Sequence, residues 1–485
     1  MGANIAAIFF VVVYFVALIA IGWYTRMAVA NASDFHVAGR KIGPFVNGSA
    51  LAATYFSPAS FLGLPAFIFL LGYPFWWALV GIISGLPIAT ILTAAPLRKY
   101  APISFTDYYA DRYDTKWMRL AVAVPTVIGG FAYVILSIAG TAMFLLCVLK
   151  INFFASIILG ALITFAYIYL GGMLATSFSA SFQGVTMMVA AIIGAVVVLA
   201  NYGGINGLTD AVLANNALFF NTPYVNEQVA HPIMASALGV VGFFFVWHYG
   251  FSIMPHTVVR FFTTQDIKDA RRSVFWAVLI GGAMYVGLVI IGTGARVLIE
   301  SLHPSMGQEG ISNAMWLLAS MKKSYGVAGS SVTDYSMLAA MEALAKPWLL
   351  GIIAAGGLAI AMSTSAGWTM VLNVLLGRDL MGKVFGSKWA EEKPVQATRF
   401  MTIVVIFICT LLAFNPPALV LDISGAAFVI LVCSVGPPLI LGIWWDKSTK
   451  VAAYATIYLM TAFSGFAWLY AHYTLKSAHW FFLSD

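Results

Sequence analysis

Long apolar stretches recur along almost the whole chain, separated by short polar connections, and no other feature limits its folding so sharply. An α-helix rises ~1.5 Å per residue, so about 20 apolar residues cross the ~30 Å hydrocarbon layer of a bilayer. Twelve segments meet this length, near 3–26, 44–73, 74–97, 118–148, 152–172, 180–201, 233–256, 273–299, 346–376, 397–415, 419–445 and 450–473. Composition agrees: of 485 residues 61% are hydrophobic and only 9% charged, against about 25% charged in an ordinary soluble domain. The chain lacks the polar surface to cover a soluble globule. A soluble enzyme, a disordered scaffold and a nucleic-acid-binding protein are excluded on that ground, and the expectation is an all-α polytopic membrane protein.

The first segment has no basic leader and no small-residue cleavage motif, and is read as a retained helix. Cys147, Cys409 and Cys433 lie inside apolar runs without metal-ligand spacing, and are expected as small core residues. Lys and Arg are retained on the cytoplasmic side of a membrane. An outside N-terminus leaves only Lys150, Arg296, Lys322, Lys323, Lys346 and Lys476 of the 25 basic residues outside, and an even number of spans returns the C-terminus outside. The net charge of +7 is then a topology signal, with no nucleic-acid partner implied. The stretches 202–232 and 300–345 form the longest outer loops; Met315–Leu318 and Met337–Met341 within them suggest short cap helices.

Two segments carry chemistry. In the second span, Pro58 has no N–H to give the Thr54 carbonyl, and its ring disfavours helix in the residue before it. A break over residues 53–58 is predicted near mid-membrane, where freed carbonyls are either harmlessly buried at a kink or line a cavity that suits a hard cation. In the ninth span, Ser363, Thr364 and Ser365 are consecutive hydroxyls midway along an apolar helix. Such groups often bond their own helix or join helices together; facing the broken helix, they would complete an all-oxygen site of Na⁺ size. His248 stands out as an ionisable group at apparent membrane depth, read as a hydrogen-bonded neutral side chain before a proton relay. Asp422 and Arg296 lie near outer span ends and are read as structural or gating residues.

The run Ala38-Gly39-Arg40-Lys41-Ile42-Gly43-Pro44, continuing through Ala53-Thr54-Tyr55-Phe56-Ser57 to Gly63-Leu64-Pro65, resembles the opening of the sodium:solute symporter family, which includes proline, pantothenate and acetate permeases. Tyr169-Leu170-Gly171-Gly172-Met173-Leu174-Ala175-Thr176 with Gln183-Gly184, then Pro255-His256-Thr257-Val258-Val259-Arg260-Phe261 and Ala270-Arg271-Arg272-Ser273, are similar to later family motifs in the same order. The resemblance implies a single transporter domain over 1–485 of leucine-transporter type: an extra N-terminal helix (3–26), a five-helix repeat (44–201), its inverted copy (233–445) and an extra C-terminal helix (450–473). Gly/Pro interruptions in both the second and seventh spans give this weak independent support.

Residue by residue, the resemblance implies an Na⁺ site built from the carbonyls of Ala53, Phe56 and Ile360 and the hydroxyls of Ser363 and Thr364. It implies solute contact at Trp247, Phe251 and Pro255, which recur at i, i+4 and i+8, and at Tyr55, where relatives carry Asp or Asn. An aromatic stripe at this spacing also suits plain packing. Ala180 stands where some members place a carboxylate for a second Na⁺, so one Na⁺ per cycle is expected. With no Lys or Arg apparent beside either segment, Na⁺ coupling is expected. The second-span run is more like monocarboxylate and pantothenate permeases than sugar carriers, so the expected solute is a small organic anion held by a half-helix N-terminus and hydroxyls without a buried Arg, with proline or another zwitterionic or neutral solute as the alternative. A channel would need a filter motif and an integral-membrane enzyme clustered carboxylate or His ligands, neither of which is present in the sequence. The expected setting is the lipid bilayer of the cell membrane.

Overall fold

The computed structural model describes residues 5–215, 219–220, 237–301, 336–414 and 420–473. Among these, nine helices are long and apolar enough to cross a membrane, and one further pair, Pro44–Tyr55 with Ala59–Phe69, meets the test across a 66° bend. We label the helices used below α1 (Ile5–Met27), α2 (Pro44–Tyr55), α3 (Leu64–Leu71), α4 (Trp76–Ala89), α5 (Phe105–Arg112), α6 (Met118–Leu149), α7 (Phe153–Tyr202), α8 (Ala237–Ile253), α9 (Pro255–Phe261), α10 (Ile267–Ser301), α11 (Pro347–Asn373), α12 (Pro394–Ala413), α13 (Val420–Ser434), α14 (Gly436–Trp444) and α15 (Lys450–Tyr473).

The packing reverses that of a soluble protein, with small residues inside and large apolar ones outside. On α1, Ala7, Val11, Tyr14 and Leu18 follow helical spacing and are buried, while Ile5, Phe9, Val16 and Trp23 face outward. The same contrast marks α12 and α15, whose Phe407, Leu411, Phe463 and Phe466 are exposed. At the centre runs α11, buried from Ile353 to Asn373 and packed against α1, α2, α6 and α7. Small residues permit these close approaches: a Cβ on Gly367 would meet the Thr54 methyl. Met315–Leu318 lies outside the described residues, and Met337–Met341 falls within a helix at Ser336–Leu344.

Two spans differ in detail from expectation. Segments 152–172 and 180–201 lie on two helices that meet at a kink without an intervening loop: the run labelled α7 breaks at Gly172, whose φ of 56° and ψ of −139° suit glycine alone. Phe35 packs against Gly172 so closely that a Cβ there would overlap it. The seventh span is discontinuous, in line with its Gly/Pro interruption, and what changes is the single face expected for its three solute residues. α8 ends at Ile253, Met254 is extended with ψ 122°, and Pro255 opens the short helix α9. Trp247, Phe251 and Pro255 therefore do not share one helical face.

Candidate functional site

Pro58 sets the local geometry. Without its N–H, α2 stops at Tyr55, Phe56 becomes extended with ψ 135°, and the chain resumes through a wide π-type turn at Ala59–Gly63. The next backbone donors, Ser60 and Phe61, both turn to the Ser57 carbonyl. The carbonyls of Ala53, Thr54 and Phe56 are left for other partners. Buried carbonyls need them.

α11 supplies two. The Ser363 hydroxyl donates to the Ala53 carbonyl at 2.6 Å and lies 3.0 Å from the Ile360 carbonyl. The Thr364 hydroxyl donates to the Phe56 carbonyl at 2.7 Å and lies 3.0 Å from the same Ile360 oxygen. The structure thus brings together all five residues singled out in the sequence, and all five are fully buried. These oxygens carry no formal charge, a donor set that suits a hard monovalent cation once the hydroxyl lone pairs are freed. Among the described residues no group of three or more His, Cys, Asp or Glu is placed to hold a metal.

Of the residues expected at the solute, Tyr55 and Phe251 pack ring against ring, both buried, where the two broken helices meet. Trp247 stacks on Phe428 of α13, with ring centroids 4.4 Å apart. Pro255 is buried beyond the Met254 break. His248 is hydrogen-bonded to Ser84 on α4 at 2.8 Å. Ala180 is fully buried.

Sequence reasoning missed Arg260, placed among the cytoplasmic anchors. It is a fully buried guanidinium on α9, 3.0 Å from the Thr54 hydroxyl and 3.2 Å from that of Ser177. The expectation that no Arg or Lys adjoins the broken span is overturned. His256, one turn earlier, is also buried and hydrogen-bonds the Thr54 backbone. Its ring lies between Trp368 (4.3 Å) and Tyr133 (5.9 Å). The available signal was the i, i+4 spacing of His256 and Arg260 directly after a helix-starting proline.

Beyond these groups, at the Lys/Arg-rich end, Asp107 of α5 gathers Arg119 at 3.0 Å, Arg378 at 3.0 Å and Lys383 at 2.8 Å. Burial opposes its ionisation, but Arg378 and Lys383 outweigh it and hold the carboxyl well below the usual range. Thr106 donates to Asp379 at 2.6 Å, and His36 faces Thr398 at 3.1 Å. Burial, assisted by Arg378, lowers His36 to about 4, so it is neutral at pH 7. His36, Thr106, Asp379, Met173 and Val259 line one cavity of about 20 Å³, room for a single water.

Comparisons with known proteins bear on this geometry. The structure is similar over 98% of this chain, and 94% of the other, to a Na⁺-coupled sialic acid symporter in a substrate-bound, outward-open state, with a TM-score of 0.78 at 18% identity. It also aligns, at a TM-score of 0.49 and 12% identity over 94% of this chain and all of the other, with a nucleobase-cation-symport-1 family transporter in a closed conformation with bromovinylhydantoin bound. The first likeness gives the fold, that of the leucine-transporter type with paired broken helices. The model of the sodium:solute symporter family matches residues 35–459. With broken helices meeting at a buried oxygen cluster inside a multi-pass bundle, the chain belongs to the sodium:solute symporter family: a membrane transporter, not an enzyme, that couples solute movement to Na⁺.

Proposed function

We propose that this transporter imports a small organic monocarboxylate, one molecule with one Na⁺, by alternating access across the cell membrane. The observation that carries the ion site is the pairing of the Ser363 and Thr364 hydroxyls with the Ala53 and Phe56 carbonyls across the Pro58 break. In this reading Ala53, Phe56, Ile360, Ser363 and Thr364 ligate Na⁺. Ala180 offers no carboxylate to a second ion. The solute sits where Tyr55 and Phe251 now touch, with Trp247 and Pro255 bordering it; separating the two rings opens the space. Residues 44–201 and 233–445 act as the inverted repeats, with both termini outside and the Asp107 network on the cytoplasmic side.

Na⁺ occupancy ties the two halves of the cycle together. The ion replaces two interhelical hydrogen bonds by ligation from the same groups, so α2 and α11 stay joined only while the site is filled or its hydroxyls are paired. The buried guanidinium of Arg260 supports a solute that carries a carboxylate. The test is labelled uptake into proteoliposomes, challenged with acetate, propionate, pyruvate, lactate, pantothenate and proline. Competition by the monocarboxylates but not by proline is expected; competition by proline alone contradicts the solute assignment.

A further inference from the structure

Arg260 presents an unsolved electrostatic problem. An arginine stays protonated in any protein environment, and burying a cation is tolerated when an anion or a full set of acceptors meets it. Here the side chain is 0% exposed, and among the described residues no carboxylate lies within 4.0 Å of it. Its side-chain hydrogen bonds among the described residues all go to neutral groups: Thr54 Oγ1 to Nη2 at 3.0 Å, Ser177 Oγ to Nη1 at 3.2 Å and Met173 Sδ to Nη1 at 3.8 Å. Its Nε has no partner.

The neighbourhood is rich in further unpaired polar atoms. Among the described residues, His256 Nδ1, one turn away on the same face of α9, is buried without a partner; so are Tyr55 Oη, next to Thr54 in sequence, and Trp368 Nε1, whose ring packs on His256. Tyr55 Oη and Trp368 Nε1 can donate, and buried donors without acceptors are rare in folded proteins. A permanent buried cation with an idle Nε and no carboxylate is a group that an anion would satisfy. Asp379, which borders the same cavity as Met173, is already held by Arg378 and Thr106, so it does not serve.

Position supplies the rest. Thr54 stands between Ala53, in the oxygen cluster, and Tyr55, at the ring contact, while Arg260 touches Thr54 from the side where Met173 opens onto the 20 Å³ cavity near the Lys/Arg-rich end. The guanidinium is itself fully buried, so a solute reaches it only after the packing around it opens.

We propose that Arg260 forms a second carboxylate-binding station between the central pocket and the cytoplasm, where the solute's carboxylate pairs with the guanidinium on its way out. A guanidinium binds a carboxylate through two parallel N–H donors, and an approaching carboxylate displaces the weaker hydroxyl contacts of Thr54 and Ser177. The station discriminates charge, because an amide of the same shape cannot neutralise the cation.

The inference rests on the carboxylate reading of the solute, and the experiment separates the two. Counterflow of labelled propionate is measured in proteoliposomes of the wild type, Arg260→Gln and Ser177→Asp, with unlabelled propionate or its uncharged isostere propionamide on the cytoplasmic side. The wild type is expected to prefer propionate over propionamide. Arg260→Gln should raise the half-saturating cytoplasmic propionate at least tenfold and erase the acid-over-amide preference, a ratio that a merely structural defect would not change. Ser177→Asp keeps the arginine but supplies a built-in anion, and should produce the same loss, which decides the matter if Arg260→Gln does not insert. A wild-type preference retained in either variant overturns the station and leaves the carboxylate reading intact. Proline transport by a wild type that carries no monocarboxylate overturns both.

Discussion

Removing the hydroxyl of Ser363 or Thr364 deletes one proposed Na⁺ ligand and one interhelical hydrogen bond to the α2 break, while leaving a side chain that α11 accommodates. Ser363→Ala and Thr364→Ala are each expected to raise the Na⁺ concentration for half-maximal uptake about tenfold, roughly 1.4 kcal/mol of binding, with unchanged membrane expression; unaltered Na⁺ dependence in both would remove them from the site. His36 gives a stability expectation. Its imidazole titrates near 4 when folded and about 6.5 when unfolded, so protons favour the unfolded chain between those values. Thermal stability should therefore fall as pH drops from about 6.5 to 4, by up to about 3 kcal/mol, and His36→Gln should flatten that slope in a melting series. The oxygen cluster was legible in the sequence because Pro58 and the hydroxyl run are local signals. Arg260 and His256 were not, since their burial depends on the Met254 break, which turns a span end back into the bundle.

Helices here are defined by where they fail. The α2 break follows from one missing N–H, and was readable at Pro58; restoring a continuous helix with Pro58→Ala should reclaim the Thr54 carbonyl for the backbone and suppress transport more than expression. Unchanged uptake by this variant would show that the break is incidental. The Gly172 turn was not readable, because a Gly-Gly pair in an apolar run looks the same whether the helix is straight or bent. Its backbone angles exclude other residues, and Phe35 fills the space where a side chain would go. Gly172→Ala is expected to cost about 1–3 kcal/mol or more, seen as a lower melting temperature of the purified protein.

Across the whole molecule, the charge pattern and the apolar periods agree on a bundle whose polar business is done by neutral groups. Hydropathy gave the class directly, since length and apolarity alone decide whether a helix crosses hydrocarbon. It said less about tertiary detail: two predicted spans meet at the Gly172 kink with no loop between them, and Pro255 lies beyond the Met254 break from Trp247 and Phe251. The proposed orientation, which puts Asp107 and its three cations at the cytoplasmic end, is checked by single cysteines at Lys268 and Lys388, which should react with a membrane-impermeant thiol reagent only from the inside. The central claim is stoichiometric coupling of one Na⁺ to one monocarboxylate through the Ala53–Phe56–Ile360–Ser363–Thr364 oxygens. Its most direct test is the simultaneous flux of ²²Na⁺ and labelled propionate into proteoliposomes at fixed pH. We expect one Na⁺ to enter per propionate, and no concentrative propionate uptake when choline replaces Na⁺; two Na⁺ per solute, or uptake undiminished in choline, would contradict the account.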